Sequence, residues 1–219
     1  MSVVIPERVG TVLTAEVARE IAANSDHPVF PGQVCIDEVG QPNRRFPDYP
    51  GPVLVLVHEN QYVCSWGVPL GDPDPPVLVG GSVLDRVRST VRYSANIDAF
   101  VAARRWDGRC LCQGTLLQAG TVELSDESDA FLRTSYNEQP ETHGWPLSVQ
   151  RRFERDAVHI LLHSSPVECW WWISAPNSGL LEPTLRELME LPELRSLLWS
   201  NDDAGIELLQ RMGIWRREI

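Results

Sequence analysis

The segment 158-VHILLHSSPVECWWWISA-175 restricts this chain more than any other. Two stretches of strand length flank a Ser-Ser-Pro turn signal. In the first, Val158, Ile160 and Leu162 alternate with His159, Leu161 and His163, a period of two rather than 3.6. In the second, three consecutive tryptophans follow Cys169. A strand sends Trp170 and Trp172 to one face and Trp171, with Cys169 and Ile173, to the other. No sheet that buries one face and wets the other hides all three indoles. Either helices cover both faces and all three are core, or one face is open and displays an indole pair. In the open case Trp171 is the core residue, and Trp170 with Trp172 form the exposed side, where aromatics beside acidic groups have the make-up of a binding hot spot.

The rest of the chain reads as a mixture of hairpins and helices. Thr14 starts a helix over 14–23 with Val17 and Ile21 on its apolar stripe. Six prolines within 26–52 predict a loop. Strands are expected at 53–57 and 62–66, joined around His58–Gln61, and at 77–79 after the turn-rich 67-GVPLGDPDPP-76. Ser94 is placed to cap a helix over 97–106. The acidic 123-ELSDESD-129 suits the first turn of a helix running through Phe131 and Leu132. Residues 136–147 read as loop, and 157–163 and 168–174 as strands. Helices close the chain near 183–198, with Pro183 in a first turn, and at 203–212, with Gly213 as a stop. The expected class is therefore α+β. Shifted by 105 positions, Val53, Leu56, His58, Cys64 and Trp66 meet Val158, Leu161, His163, Cys169 and Trp171. Two related hairpin-containing halves would produce that echo, and so would two hairpins of similar composition.

With 219 residues, one large domain or two small ones can be built, the two regions being 1–107 and 108–219. The chain carries 30 acidic residues against 19 arginines, with no lysine, for a net charge of −11. Such a field repels nucleic acid, attracts a basic protein partner and favours solubility. Five cysteines, at 35, 64, 110, 112 and 169, give an odd count without framework spacing. The start lacks signal-peptide features and no apolar run reaches membrane-spanning length. Reduced thiols, a cytoplasmic location and no membrane association are the expectation.

Catalytic and metal signatures are weak throughout. Cys110 and Cys112 are one residue apart, short of zinc-knuckle spacing, and 159-HILLH-163 lacks the glutamate of HExxH. There is no G-x-S-x-G elbow and no phosphate-binding glycine motif. Cys64 and Cys169 fall on strands, where cysteine packs as a small hydrophobe. The expectation is a protein with no enzyme activity, metal or cofactor. The alternative is a small enzyme whose site gathers scattered His58, His159, His163, cysteines and acids.

The stretch 59-ENQYVCSWGVPLGDPDPPVLV-79 resembles the SUKH superfamily, the Syd and Knr-like group of bacterial immunity and cell-wall-regulator proteins. The resemblance rests on Glu59, Asn60 and Gln61, then Trp66, the turn Asp72 to Pro76, the strand Val77 to Val79, and a helix over 97–106. It covers about residues 50–106; Tyr62 stands where the family frequently has glycine. It implies an α+β fold with a curved antiparallel sheet flanked by helices. It also implies a non-catalytic role in binding and neutralising a toxin, with a nuclease as one such target, or a regulatory scaffold without a toxin. On this reading the partner-binding residues are Glu59, Asn60, Gln61, Asp72 and Asp74, together with Trp170 and Trp172.

Overall fold

Short apolar runs such as 53-VLVLV-57 and 158-VHILL-162 are too short for helices and too apolar for loops, and they form inner strands of two antiparallel sheets. The computed structural model describes residues 4–22, 26–81, 89–112, 114–143, 148–165, 167–191, 193–194 and 197–214. In chain order the elements are α1 (Glu7–Val12), α2 (Ala15–Ile21), β1 (His27–Pro28), β2 (Ile36–Asp37), β3 (Val53–His58), β4 (Cys64–Pro69), β5 (Val77–Gly81), β6 (Ser89–Ser94) and α3 (Ile97–Cys112). There follow β7 (Thr115–Thr121), α4 (Asp126–Ser135), β8 (Asn137–His143), β9 (Val149–Arg155), β10 (Val158–Ser164), β11 (Cys169–Ala175), α5 (Ser178–Leu188) and α6 (Asp203–Arg211). The fold is α+β, as the alternation of hairpins and helices predicts. The chain divides into two units, residues 1–108 with 142–148, and residues 109–141 with 149–219.

In the first unit the strand order is β1-β3-β4-β5-β6, with β2 also pairing β3. Both faces of this sheet are covered, which is why β3 is buried from Val53 through Val57 without polar alternation. One face, carrying Leu54, Leu56, Trp66, Val79 and Tyr93, packs against Val9, Leu13, Ile21, Ile97 and Phe100 of the helical segments. The other face carries Val53, Val55 and Leu78 and is covered by Phe46. Phe46 comes from the proline-rich segment, which folds back as an ordered cover. Asp37 organises that cover: its carboxylate accepts from the backbone N–H groups of Arg45 (2.8 Å) and Phe46 (3.2 Å) and from Arg44 Nε (3.0 Å). Glycine makes the room. A Cβ on Gly67 would lie 2.8 Å from the Phe46 ring, and one on Gly80 would lie 2.6 Å from it.

In the second unit the order is β7-β11-β10-β9-β8. Its core joins Trp171, Ile173, Leu117, Phe153, Ile160 and Leu162 to Leu132, Leu185 and Leu208 from the helices. Asp156 (φ 48°) and Ala157 (φ 66°) form the two-residue turn between β9 and β10, the left-handed pair that a tight hairpin requires.

Several elements depart from the sequence reading. Residues 137–143 are strand rather than loop, 144–147 lying outside the described residues. The β4 strand starts at Cys64 rather than Tyr62 and runs into the segment read as turn. The cap of α3 is Asn96, whose Oδ1 accepts from Ala99 N–H at 3.1 Å, while Ser94 Oγ donates to the Asn96 carbonyl. That helix continues past 106 to Cys112, so Cys110 and Cys112 are helical. Asn177 caps α5, which places Pro183 inside the helix instead of its first turn and ends the helix at Leu188. Thr14 and Gly213 (φ 71°) act as read, and the acidic segment opens α4, where Ser125 is the cap.

The 105-residue echo pairs hairpins that hold different places: β3–β4 opens its four-strand meander, whereas β10–β11 closes one. A different correspondence follows from connectivity. Each unit runs a four-strand meander into a helix, β3 to β6 into α3 and β8 to β11 into α5. At the junctions Ser94-Ala95-Asn96 matches Ser174-Ala175-Pro176-Asn177, and both asparagines are helix caps.

Candidate functional site

Strand alternation sorts the tryptophans. Trp171 is fully buried, Trp170 is 36% exposed and Trp172 is intermediate. The Trp171 indole N–H donates to Thr121 Oγ at 3.4 Å, which satisfies its polar edge inside the core. On the opposite face Trp170 lies against Gly120, where a Cβ would meet its ring at 3.1 Å. Trp172 lies 6.5 Å from Trp170 and 4.4 Å from the His163 ring, centroid to centroid. Gln150 Nε2 and His163 Nε2 are 2.9 Å apart across the β9–β10 ladder. Near the same end of β7 and β11, Val122 and Val167 are 78% and 75% exposed, with the carboxylates of Glu123 and Glu168 beside them in sequence and exposed. The indole pair is thus accompanied by exposed aliphatic and acidic residues at the neighbouring strand ends, a composition suited to packing and charge complementarity.

The other residues singled out from sequence belong to the first unit and serve local turns. Glu59 is buried, and its Oε2 accepts from the N–H groups of Gln61 (2.7 Å) and Val63 (3.4 Å). Asn60 is exposed, but its N–H donates to Asp26 Oδ1 at 3.0 Å; Gln61 is exposed. Asp72 Oδ1 accepts from Asp74 N–H at 3.0 Å, closing an exposed turn. The Glu59–Gln61 and Asp72–Asp74 turns sit at opposite ends of β4, about 20 Å of strand apart. The structure therefore does not gather these five into one patch.

A second polar constellation is one that sequence patterning missed. The register pairs His27 with His58 and His58 with Ser65, so the three share one row across β1, β3 and β4. A β-bulge between Val55 and Val57 puts His58 on that face; without it His58 would join Leu54 and Leu56. His58 Nδ1 is 2.8 Å from Ser65 Oγ, and Arg45 Nη1 donates to the same hydroxyl at 3.3 Å. Tyr62 stacks on His27 at 4.8 Å and tilts over His58 at 5.3 Å. Burial, with Arg45 and His27 nearby, pushes His58 down to about 4. Ser65 is fully buried, so its hydroxyl links Arg45 to His58 rather than presenting a nucleophile. Tyr62 has φ 60°, the left-handed conformation that accounts for glycine suiting this position.

The thiols and remaining histidines have local structural settings. Burial pushes the Cys169 thiol up, and its Sγ is 3.4 Å from Ser164 Oγ. Burial lowers His159. Asp26 pairs with Arg104, whose guanidinium lies 4.9 Å over the Trp66 ring. Among the described residues no group of three or more His, Cys, Asp and Glu side chains could hold a metal ion. No helix among the described residues is long and apolar enough to cross a membrane. Comparison with family models, with curated proteins and with solved structures returns no match.

Proposed function

We propose that this chain is a non-catalytic binding protein of the SUKH-like immunity kind, acting in the cytoplasm to neutralise a basic toxin, with a nuclease as the leading target class. The observation that carries the reading is the Trp170–Trp172 surface. An indole pair left on a sheet face, with Val122 and Val167 exposed nearby, has the composition of an interface centre rather than of ordinary solvated surface. The net charge of −11 supports a basic partner, since opposite fields raise the association rate and a nuclease needs cations to hold phosphates. The buried Cys64 and Cys169 and the buried Ser65 hydroxyl favour binding over nucleophilic chemistry.

The test is co-purification with the product of the adjacent gene, followed by protection of cells expressing that product. Binding that weakens with added salt, together with protection, supports the proposal. Failure to bind or protect overturns it for that pair. A regulatory scaffold of the Knr-like kind would bind a partner without protecting against any toxin.

A further inference from the structure

We propose that His27, Arg45, His58, Tyr62 and Ser65 form a site for a small oxyanion, a phosphate or carboxylate group, on the first unit's sheet. Several arginines that this acidic chain draws out of solvent meet carboxylates, although the most buried, Arg152, is held by Gln150. Arg44 meets Asp37, Arg104 meets Asp26, and Arg151 meets both Asp129 and Glu138. Arg45 is also partly buried, yet among the described residues its guanidinium pairs with no carboxylate; its partner is the Ser65 hydroxyl at 3.3 Å. A half-buried cation without a counter-charge gains when an anion arrives.

Of the neighbouring groups, His27 gives its Nε2–H to the Asn60 carbonyl at 3.3 Å and serves by its place in the ring stack, which leaves Arg45 and His58 as the donors. Ser65 Oγ accepts from Arg45 and lies 2.8 Å from His58 Nδ1, to which its one proton can be given. With the Ser65 proton on Nδ1, the neutral His58 imidazole carries its own proton on Nε2, a donor. The charges acting on His58 are those of Arg45 and His27, with no carboxylate among them. The bulge that turns His58 onto this face builds the row, and the Tyr62 ring lies between the two imidazoles at a backbone conformation unfavourable for tyrosine. Both the bulge and the left-handed Tyr62 are local costs whose joint product is this cluster. The proposal does not depend on the toxin-binding reading.

Titration of the full chain with inorganic phosphate, and separately with acetate, at constant ionic strength tests it. The readouts are the imidazole proton resonances of His27 and His58 and the guanidinium Nε–H of Arg45. Saturable shifts confined to these residues are expected with one or both probes. The probe that saturates at lower concentration identifies the phosphate or the carboxylate class. Arg45→Gln, which keeps a donor for Ser65, should weaken the binding about tenfold or more. His58→Gln is the second variant, should Arg45→Gln fail to fold. Linear, non-saturating shifts with both probes, or equal affinity in a folded variant, would overturn the site.

Discussion

Phe46 can cover the first sheet because Gly67 and Gly80 leave a hole for its ring. A Cβ at Gly80 would also lie 2.4 Å from the Arg45 carbonyl, so neither backbone nor ring can yield freely. Gly80→Ala should therefore destabilise the chain by about 1–3 kcal/mol in urea unfolding. Phe46→Ala, which empties the hole, should cost about 3–5 kcal/mol. His58 gives a pH prediction. Its folded value of about 4 lies below the ordinary imidazole value, so the unfolded chain takes up the proton first. Its contribution to stability is complete above about pH 6.5 and is lost as pH falls toward 4. His58→Gln should flatten that part of the stability–pH curve, and a wild-type His58 titrating near 6.5 by NMR would contradict the burial argument. The contrast between Trp171 and Trp170 was readable from sequence because alternation on a regular strand is geometric. The face taken by His58 was not, because one extra residue in a strand leaves no mark on the apolar pattern of 53-VLVLVH-58.

At the scale of elements, helix starts depend on single side chains. Asn177 Oδ1 accepts from Leu180 N–H at 3.0 Å, and Ser125 Oγ from Ser128 N–H at 3.1 Å. Asn177→Ala should cost about 1 kcal/mol by thermal or denaturant unfolding, with more fraying of α5 in hydrogen exchange. Where capping residues cluster, sequence cannot choose among them: Ser94 and Asn96 are both good caps, and the end of β6 decides for Asn96. The missed strand β8 has a physical reason too. The sequence 137-NEQPETH-143 has no apolar alternation and contains Pro140, yet β8 lies at the end of the sheet order, where strands tolerate proline and charge. Pro183 misled in the opposite direction. A proline inside α5 looks like a start signal until Asn177 is seen to hold the true first turn.

At the scale of the molecule, the α+β class and the main hairpins were legible, because strand-length apolar runs and turn residues are local signals. The connectivity of two meanders each running into an Asn-capped helix was not, since it depends on which strands pair. The candidate site divided in the same way. Trp170 and Trp172 were accessible from period alone, whereas the cluster around His58 needed long-range register between β1, β3 and β4. For partner binding, Trp170→Ala should reduce affinity by about 2 kcal/mol while leaving the melting temperature nearly unchanged, because the side chain is already partly in water. Wild type and Trp170→Ala should be compared in binding to the product of the adjacent gene and in protection from it. Wild type is expected to bind and protect, and the folded variant to lose most of both. Absence of binding by wild type, or undiminished binding by the variant, would contradict the proposed function.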